Sequence, residues 1–284
     1  MNMKRIILAA VAVIMAVNLV AQSRIVEASV KSGILGAEKQ YSVYLPDGYD
    51  SSGKDYPVLY LLHGASGWHR NWIDSGNVQT IADETIASGF ALPVIIVMPD
   101  ASGEGENRRG QHMGYFDMPG WEYEKFFFGE FVPAVESAFR IKGDKKHRAI
   151  SGLSMGGGGT AVYAQHRPDM FSSACPLSGL LGAPSDNVRS KYHHTFIESA
   201  ERTIPVGFLE KASPETAGAL RTVRWYVDCG DDDYLLQGNI EFFMLMKKLG
   251  IPLEFRIRNG AHNWAYWRSA LPQVLTFIST GFSE

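Results

Sequence analysis

Two unbroken apolar runs, Val58-Leu59-Tyr60-Leu61-Leu62 and Val94-Ile95-Ile96-Val97-Met98, stand out from the pattern of the chain. Each begins after a proline and ends at a polar or glycine turn. A strand with water on one face alternates polar and apolar residues; a strand covered on both faces does not, so these runs predict the centre of a parallel sheet. Ahead of them, residues 25–31 and 40–45 do alternate and are joined across Gly33 to Gly36, which predicts an antiparallel hairpin. Helical spacing appears at 78–88 and 123–140, with Pro133 marking a kink or the start of a new helix in the second stretch. Further strands are predicted at 147–151, 170–177, 223–229 and 253–257. Helices are predicted at 156–165 and at 235–249, the latter ended by Gly250.

Alternation of strand and helix from residue 57 onward predicts an α/β fold with one mostly parallel, doubly wound sheet, a single domain over 22–284. Residues 181–222 break the rhythm. They are rich in polar residues, glycine and proline and too long for an ordinary connection, so they are expected to form an inserted cap.

The start of the chain has a different pattern. Lys4-Arg5 precedes an apolar run at 6–21 and then polar Gln22-Ser23-Arg24, the layout of a secretory signal peptide cleaved near Ala21. The run includes Asn18 and is short for a membrane span, so the expectation is a periplasmic or secreted protein with no stable membrane anchor after cleavage. A formal net charge of −3 and the lack of a basic stripe give no electrostatic case for nucleic acid. The two cysteines, Cys175 and Cys229, sit in predicted core strands and read as buried free thiols. His193-His194 has no accompanying ligand spacing, so no metal and no cofactor is expected. Nothing in the sequence fixes the oligomeric state.

Candidate chemistry centres on Gly152-Leu153-Ser154-Met155-Gly156, placed between a strand and a small-residue helix. G-x-S-x-G in that setting is the nucleophile elbow of α/β-hydrolases: flanking glycines relieve a strained turn that lifts the serine oxygen above the sheet. Serine alone is a poor nucleophile. It needs a histidine base and an acid to orient that base, in the chain order Ser, Asp/Glu, His. Asp231, Asp232 and Asp233 follow one predicted strand, and any of them fits the acid's position. His262, in Gly260-Ala261-His262-Asn263-Trp264, follows the next strand at the same sheet edge, where ligands gather in open α/β sheets. The oxyanion hole is expected from the backbone N–H groups of Met155 and of Ala65, in the loop His63-Gly64-Ala65-Ser66-Gly67. His63 reads as a brace for that loop.

With Leu61-Leu62-His63-Gly64, Gly152 to Gly157, Cys229-Gly230-Asp231-Asp232-Asp233 and Gly260 to Trp264, the chain resembles the esterase D-type family of α/β-hydrolases over roughly residues 35–280. That family includes S-formylglutathione hydrolases, mycolyltransferases, and the feruloyl and acetylxylan esterases of carbohydrate esterase family one. The resemblance implies Asp233 as the acid and an acyl-enzyme mechanism without cofactor. Together with the leader, it implies an exported esterase acting on acylated carbohydrate, such as feruloyl or acetyl esters of xylan, or on small esters. The competing readings are an acyltransferase or siderophore-ester hydrolase with the same triad, and a non-enzymatic carbohydrate-binding protein. Aromatic residues on the presumed active edge (His69, His112, Tyr115 and, foremost, Trp68, Trp72, Trp121 and Trp264) are candidates for stacking on substrate. The charged stretch 103–110 reads as an exposed loop.

Overall fold

Val58–Leu62 (β3) and Ile95–Pro99 (β4) lie side by side and parallel within an eight-stranded sheet, every residue of both strands buried. The structure, a computed structural model, describes residues 22–103 and 108–283. The expected leader at 1–21 and the centre of the charged loop lie outside the described residues. The other strands of the sheet are β1 (Arg24–Ser32), β2 (Ala37–Leu45), β7 (Arg148–Leu153), β8 (Ser173–Leu177), β9 (Arg224–Gly230) and β10 (Leu253–Arg258). A short ribbon, β5 (Asp117–Met118) with β6 (Trp121–Glu122), stands apart. The sheet order is β1-β2-β4-β3-β7-β8-β9-β10. β1 pairs antiparallel with β2, β2 pairs antiparallel with β4, and every pairing from β4 to β10 is parallel.

The apolar runs divide their residues between two cores, as a two-residue side-chain period requires. Val58, Tyr60, Leu62, Ile95 and Val97 join one core with Phe127, Phe131 and Val162. Leu59, Leu61, Ile96 and Met98 join the other, with Val78, Ala82, Leu271, Val274 and Ile278. Each face is therefore covered by helices, which is why the central strands carry no polar alternation.

Three departures from the sequence pattern have local causes. Residues 170–172 are not strand: the Met170 N–H turns back onto Arg167 O and its carbonyl accepts from Arg148 Nη1 at 3.0 Å, so β8 starts at Ser173. The 123–140 stretch is not one helix. Tyr123–Phe126 passes through a π-helical turn, Phe127–Phe131, into Val132–Ala138. Pro133 has no N–H to donate one turn back, and the ladder widens just before it. The third departure is the long helix Trp264–Ser283, which carries Pro272 inside it and packs its apolar side on the second core.

Between β8 and β9 the chain forms four short helices, Asp186–Arg189, His194–Arg202, Pro205–Glu210 and Pro214–Leu220. At the far end of the sheet a fully buried carboxylate ties three elements together. Asp228 of β9 pairs with Arg258 of β10 at 3.0 Å and accepts hydrogen bonds from the hydroxyls of Tyr226 (2.8 Å) and Tyr266 of the last helix. Both ends of the loop 259–263 are thereby pinned. Cys175 and Cys229 are buried and free, the state expected from the sequence.

Candidate active site

Ser154 sits between β7 and the helix Met155–His166 with φ 57° and ψ −118°, a backbone conformation costly for any residue with a side chain. It is held there from both sides: its N–H donates to Leu177 O, and its carbonyl accepts from Gly158 N and Leu180 N, each at 3.0 Å. The turn also needs room. A Cβ on Gly156 would lie 2.5 Å from His63 O and 2.7 Å from Leu62 O, so only glycine lets the helix meet the end of β3. Opposite, a Cβ on Gly64 would come within 2.6 Å of Leu153 Cδ1 and 3.4 Å of Ser154 Cβ.

His262 Nε2 lies 2.9 Å from Ser154 Oγ, and His262 Nδ1 lies 2.8 Å and 3.0 Å from the two carboxylate oxygens of Asp233. The carboxylate can only accept, so the proton belongs on Nδ1 and the Nε2 lone pair faces the serine hydroxyl. Asp233 is buried, and its Oδ1 also accepts from Leu235 N at 2.9 Å. Its two neighbours face away. Asp231 accepts from Gly260 N and is exposed, as is Asp232, whose N–H donates to Gly260 O. Of the three aspartates left open by position alone, Asp233 is the one beside His262. The imidazole is gripped by the rings of Tyr234 (centroids 4.5 Å apart) and Trp267 (4.9 Å, edge-on), and Trp267 Nε1 donates to Ser178 Oγ.

Met155 is the first residue of its helix, so its N–H has no carbonyl one turn back and is open to a ligand. Ala65 follows Gly64 in the loop beyond β3 and lines the same cavity as Ser154. His63 braces that loop: Nδ1 donates to Gly64 O at 2.8 Å and Nε2 accepts from Ala101 N at 2.9 Å. Burial pushes its pKa down to about 4 despite the nearby Asp100, so the ring is neutral at ordinary pH. Tyr115 holds the same residue, its hydroxyl accepting from His63 N and donating to His63 O.

An open cavity of about 300 Å³ has Ser154 and His262 in its wall together with Asn71, Trp264, Trp267 and Tyr234. A much smaller one of about 20 Å³ shares Ala65, Ser154, Tyr192 and Tyr234 with it but not His262. The four tryptophans expected to meet substrate separate here. Trp264 lines the open cavity. Trp72 does not: it is 1% exposed, donates Nε1–H to Leu62 O at 3.0 Å and stands edge-on behind Trp264, because the short helix Asn71–Asp74 turns it inward. Trp68 lies under the Arg108 guanidinium at 4.1 Å, and Trp121 is buried in a stack with His112; neither lines either cavity. Nor do His69, which is buried with Nδ1 on Ser42 Oγ, or Tyr115, which is fully buried. Sequence reasoning passed over Tyr192, Tyr234 and Asn71. Tyr234 directly follows Asp233 and was legible as such, whereas Tyr192 arrives from the β8–β9 segment with no local signal. Among the described residues no His, Cys, Asp and Glu side chains group as a metal site would require, and no helix is long and apolar enough to cross a membrane.

A sequence model described as "Putative esterase" matches residues 32–278. The chain belongs to this esterase family. A relative from Xylanibacter ruminicola described as an endo-1,4-beta-xylanase/feruloyl esterase is 34% identical over 244 residues, covering 84% of this chain and 29% of the relative. The esterase-family chain thus spans under a third of the length of the first curated relatives it matches. A solved ferulic acid esterase superposes with a TM-score of 0.85 at 42% identity, covering 92% of this chain and 99% of the other. The CE1 ferulic acid esterase of Anaeromyces mucronatus in complex with ferulic acid gives a TM-score of 0.71 at 18% identity over 94% of each chain, a likeness of fold.

Proposed function

We propose that this esterase-family chain is an exported serine carboxylesterase that cleaves feruloyl or acetyl esters carried by plant polysaccharide such as xylan. The observation that carries the reading is the line of hydrogen bonds from Asp233 through His262 to Ser154, at 2.8 Å and 2.9 Å, opening on a cavity of about 300 Å³.

His262 Nε2 takes the Ser154 hydroxyl proton as Oγ bonds to the ester carbonyl carbon. The carbonyl oxygen gains charge and is held by the N–H groups of Met155 and Ala65. Collapse breaks the bond to the alcohol oxygen, which leaves with the proton from Nε2. Water then gives its proton to His262 and attacks the acyl-enzyme, and the proton returns to Ser154 as the carboxylic acid departs. Asp233 keeps Nδ1 protonated and stabilises the imidazolium formed twice in each cycle.

The acyl and sugar classes are supported by the relatives' descriptions, and export is supported by the pattern of residues 4–24. Side-by-side assay of methyl ferulate, acetylated xylan and a short-chain aryl ester tests the reading. Release of ferulate or acetate at rates above those on the simple ester supports it; turnover confined to the simple ester contradicts the polysaccharide assignment.

A further inference from the structure

The two cavities that meet at Ser154 differ in what they can receive. Both are bordered by Ala65, Ser154, Tyr192 and Tyr234, but the open one alone carries His262, Asn71 and Trp264, and the small one alone carries Met155, Leu180, Val188, Phe196 and Leu235. The chemistry of acyl transfer distinguishes them. In the tetrahedral intermediate the carbon bears four groups: Ser154 Oγ, the oxyanion, the departing oxygen and the acyl substituent. The departing oxygen must lie where His262 Nε2 can protonate it, and the water of the second step must enter there too. That direction is the open, polar cavity. The oxyanion is turned to the amides of Met155 and Ala65. The acyl substituent is left with the small cavity, which His262 does not line and whose own walls, Met155, Leu180, Val188, Phe196 and Leu235, are apolar.

That small chamber has a volume of about 20 Å³, roughly enough for one water-sized group. A two-carbon acyl group can place its methyl there without displacing anything. A feruloyl group, with a propenoyl arm and a substituted ring, is many times larger. Part of the wall is fixed: Met155 opens the elbow helix, and Leu180 donates its N–H to Ser154 O. The rest comes from the β8–β9 segment. Val188 lies in the single-turn helix Asp186–Arg189, Phe196 lies in His194–Arg202, and Tyr192 lies between them, its ring edge-on to Phe196 at 5.5 Å. Phe196 in turn leans on Gly114, where a Cβ would stand only 3.0 Å from its ring.

Resting on the esterase reading above, we propose that Val188, Tyr192 and Phe196 set the size of the acyl group. They accept a two-carbon acyl in place and admit an arylpropenoyl group only by moving aside. Asn71 and Trp264 face the alcohol instead.

The test measures kcat/KM for acetyl and feruloyl esters of one small alcohol, and for acetyl esters of that alcohol and of a xylo-oligosaccharide. Val188→Ala and Phe196→Ala should each raise the feruloyl-to-acetyl ratio at least tenfold while changing the sugar-to-small-alcohol ratio less than twofold. Trp264→Ala should do the reverse. Fluorophosphonate labelling of Ser154 confirms that each variant is folded; should Phe196→Ala fail to label, Val188→Ala decides. An acyl ratio unmoved in the labelled Val188→Ala and Phe196→Ala variants, or moved equally by Trp264→Ala, overturns the assignment. A wild-type protein that neither labels nor hydrolyses any of these esters refutes the esterase reading itself, a separate and recognisable result.

Discussion

The buried carboxylate of Asp233 reaches His262 Nδ1 at 2.8 Å, whereas the adjacent Asp232 is exposed and holds the same loop only through its backbone. Asp233→Asn keeps the shape but presents a donor to a nitrogen that must itself donate. The imidazole is then held in the wrong tautomer, and turnover of a short-chain ester should fall by about 10⁴-fold. Asp232→Asn should leave turnover within twofold. Steady-state kinetics of the two variants checks both statements, and equal loss from Asp232→Asn alone would reassign the acid.

Gly156 is where the helix after Ser154 touches the end of β3. An alanine there would press its methyl within 2.7 Å of two backbone carbonyls, Leu62 O and His63 O, neither of which is a flexible group. Gly156→Ala should cost about 1–3 kcal/mol of stability by overpacking, read from urea denaturation. Because His63 begins the loop that carries Ala65, the shift should also misplace the amides proposed to hold the oxyanion and lower kcat by about 10²-fold.

His63 predicts a pH dependence of stability. Its folded pKa of about 4 is below the ordinary value of 6.5, with burial as the cause, so the unfolded chain binds the proton first as the solution is acidified. The stabilising effect of the neutral ring is present in full above pH 6.5 and is lost as the pH falls from there toward 4. In His63→Gln this contribution is absent. Between pH 7 and pH 4.5 the wild-type unfolding free energy should therefore drop by about 2 kcal/mol more than that of the variant. Parallel slopes for the two proteins would mean that His63 takes up its proton in the fold as readily as in the unfolded chain.

Much of the site could be read from the chain because its parts are tied to strand ends. The apolar runs at 58–62 and 94–98 fixed the sheet's direction, and a serine, an acid and a histidine each followed a predicted strand in the order the chemistry needs. Other features depended on partners distant in sequence. The side of the loop on which Trp72 faces depends on a single helical turn that points it at Leu62, and composition does not encode that. Tyr192 reaches the cavity from a segment whose polarity and prolines announce an excursion without giving its path. The helix Trp264–Ser283 was hidden by Pro272 and by its start inside the histidine motif. The π-helical turn before Pro133 has no periodicity of its own to detect.

The central claim is that Ser154 attacks the ester and carries the acyl group. It is tested most directly by comparing wild type and Ser154→Ala on a short-chain aryl ester, with the intact mass of quenched protein followed alongside turnover. The account predicts a transient acyl adduct on the wild-type protein, none on the variant, and a loss of turnover of up to about 10⁶-fold. Near-wild-type turnover by Ser154→Ala, or an acyl adduct formed on it, would contradict the account.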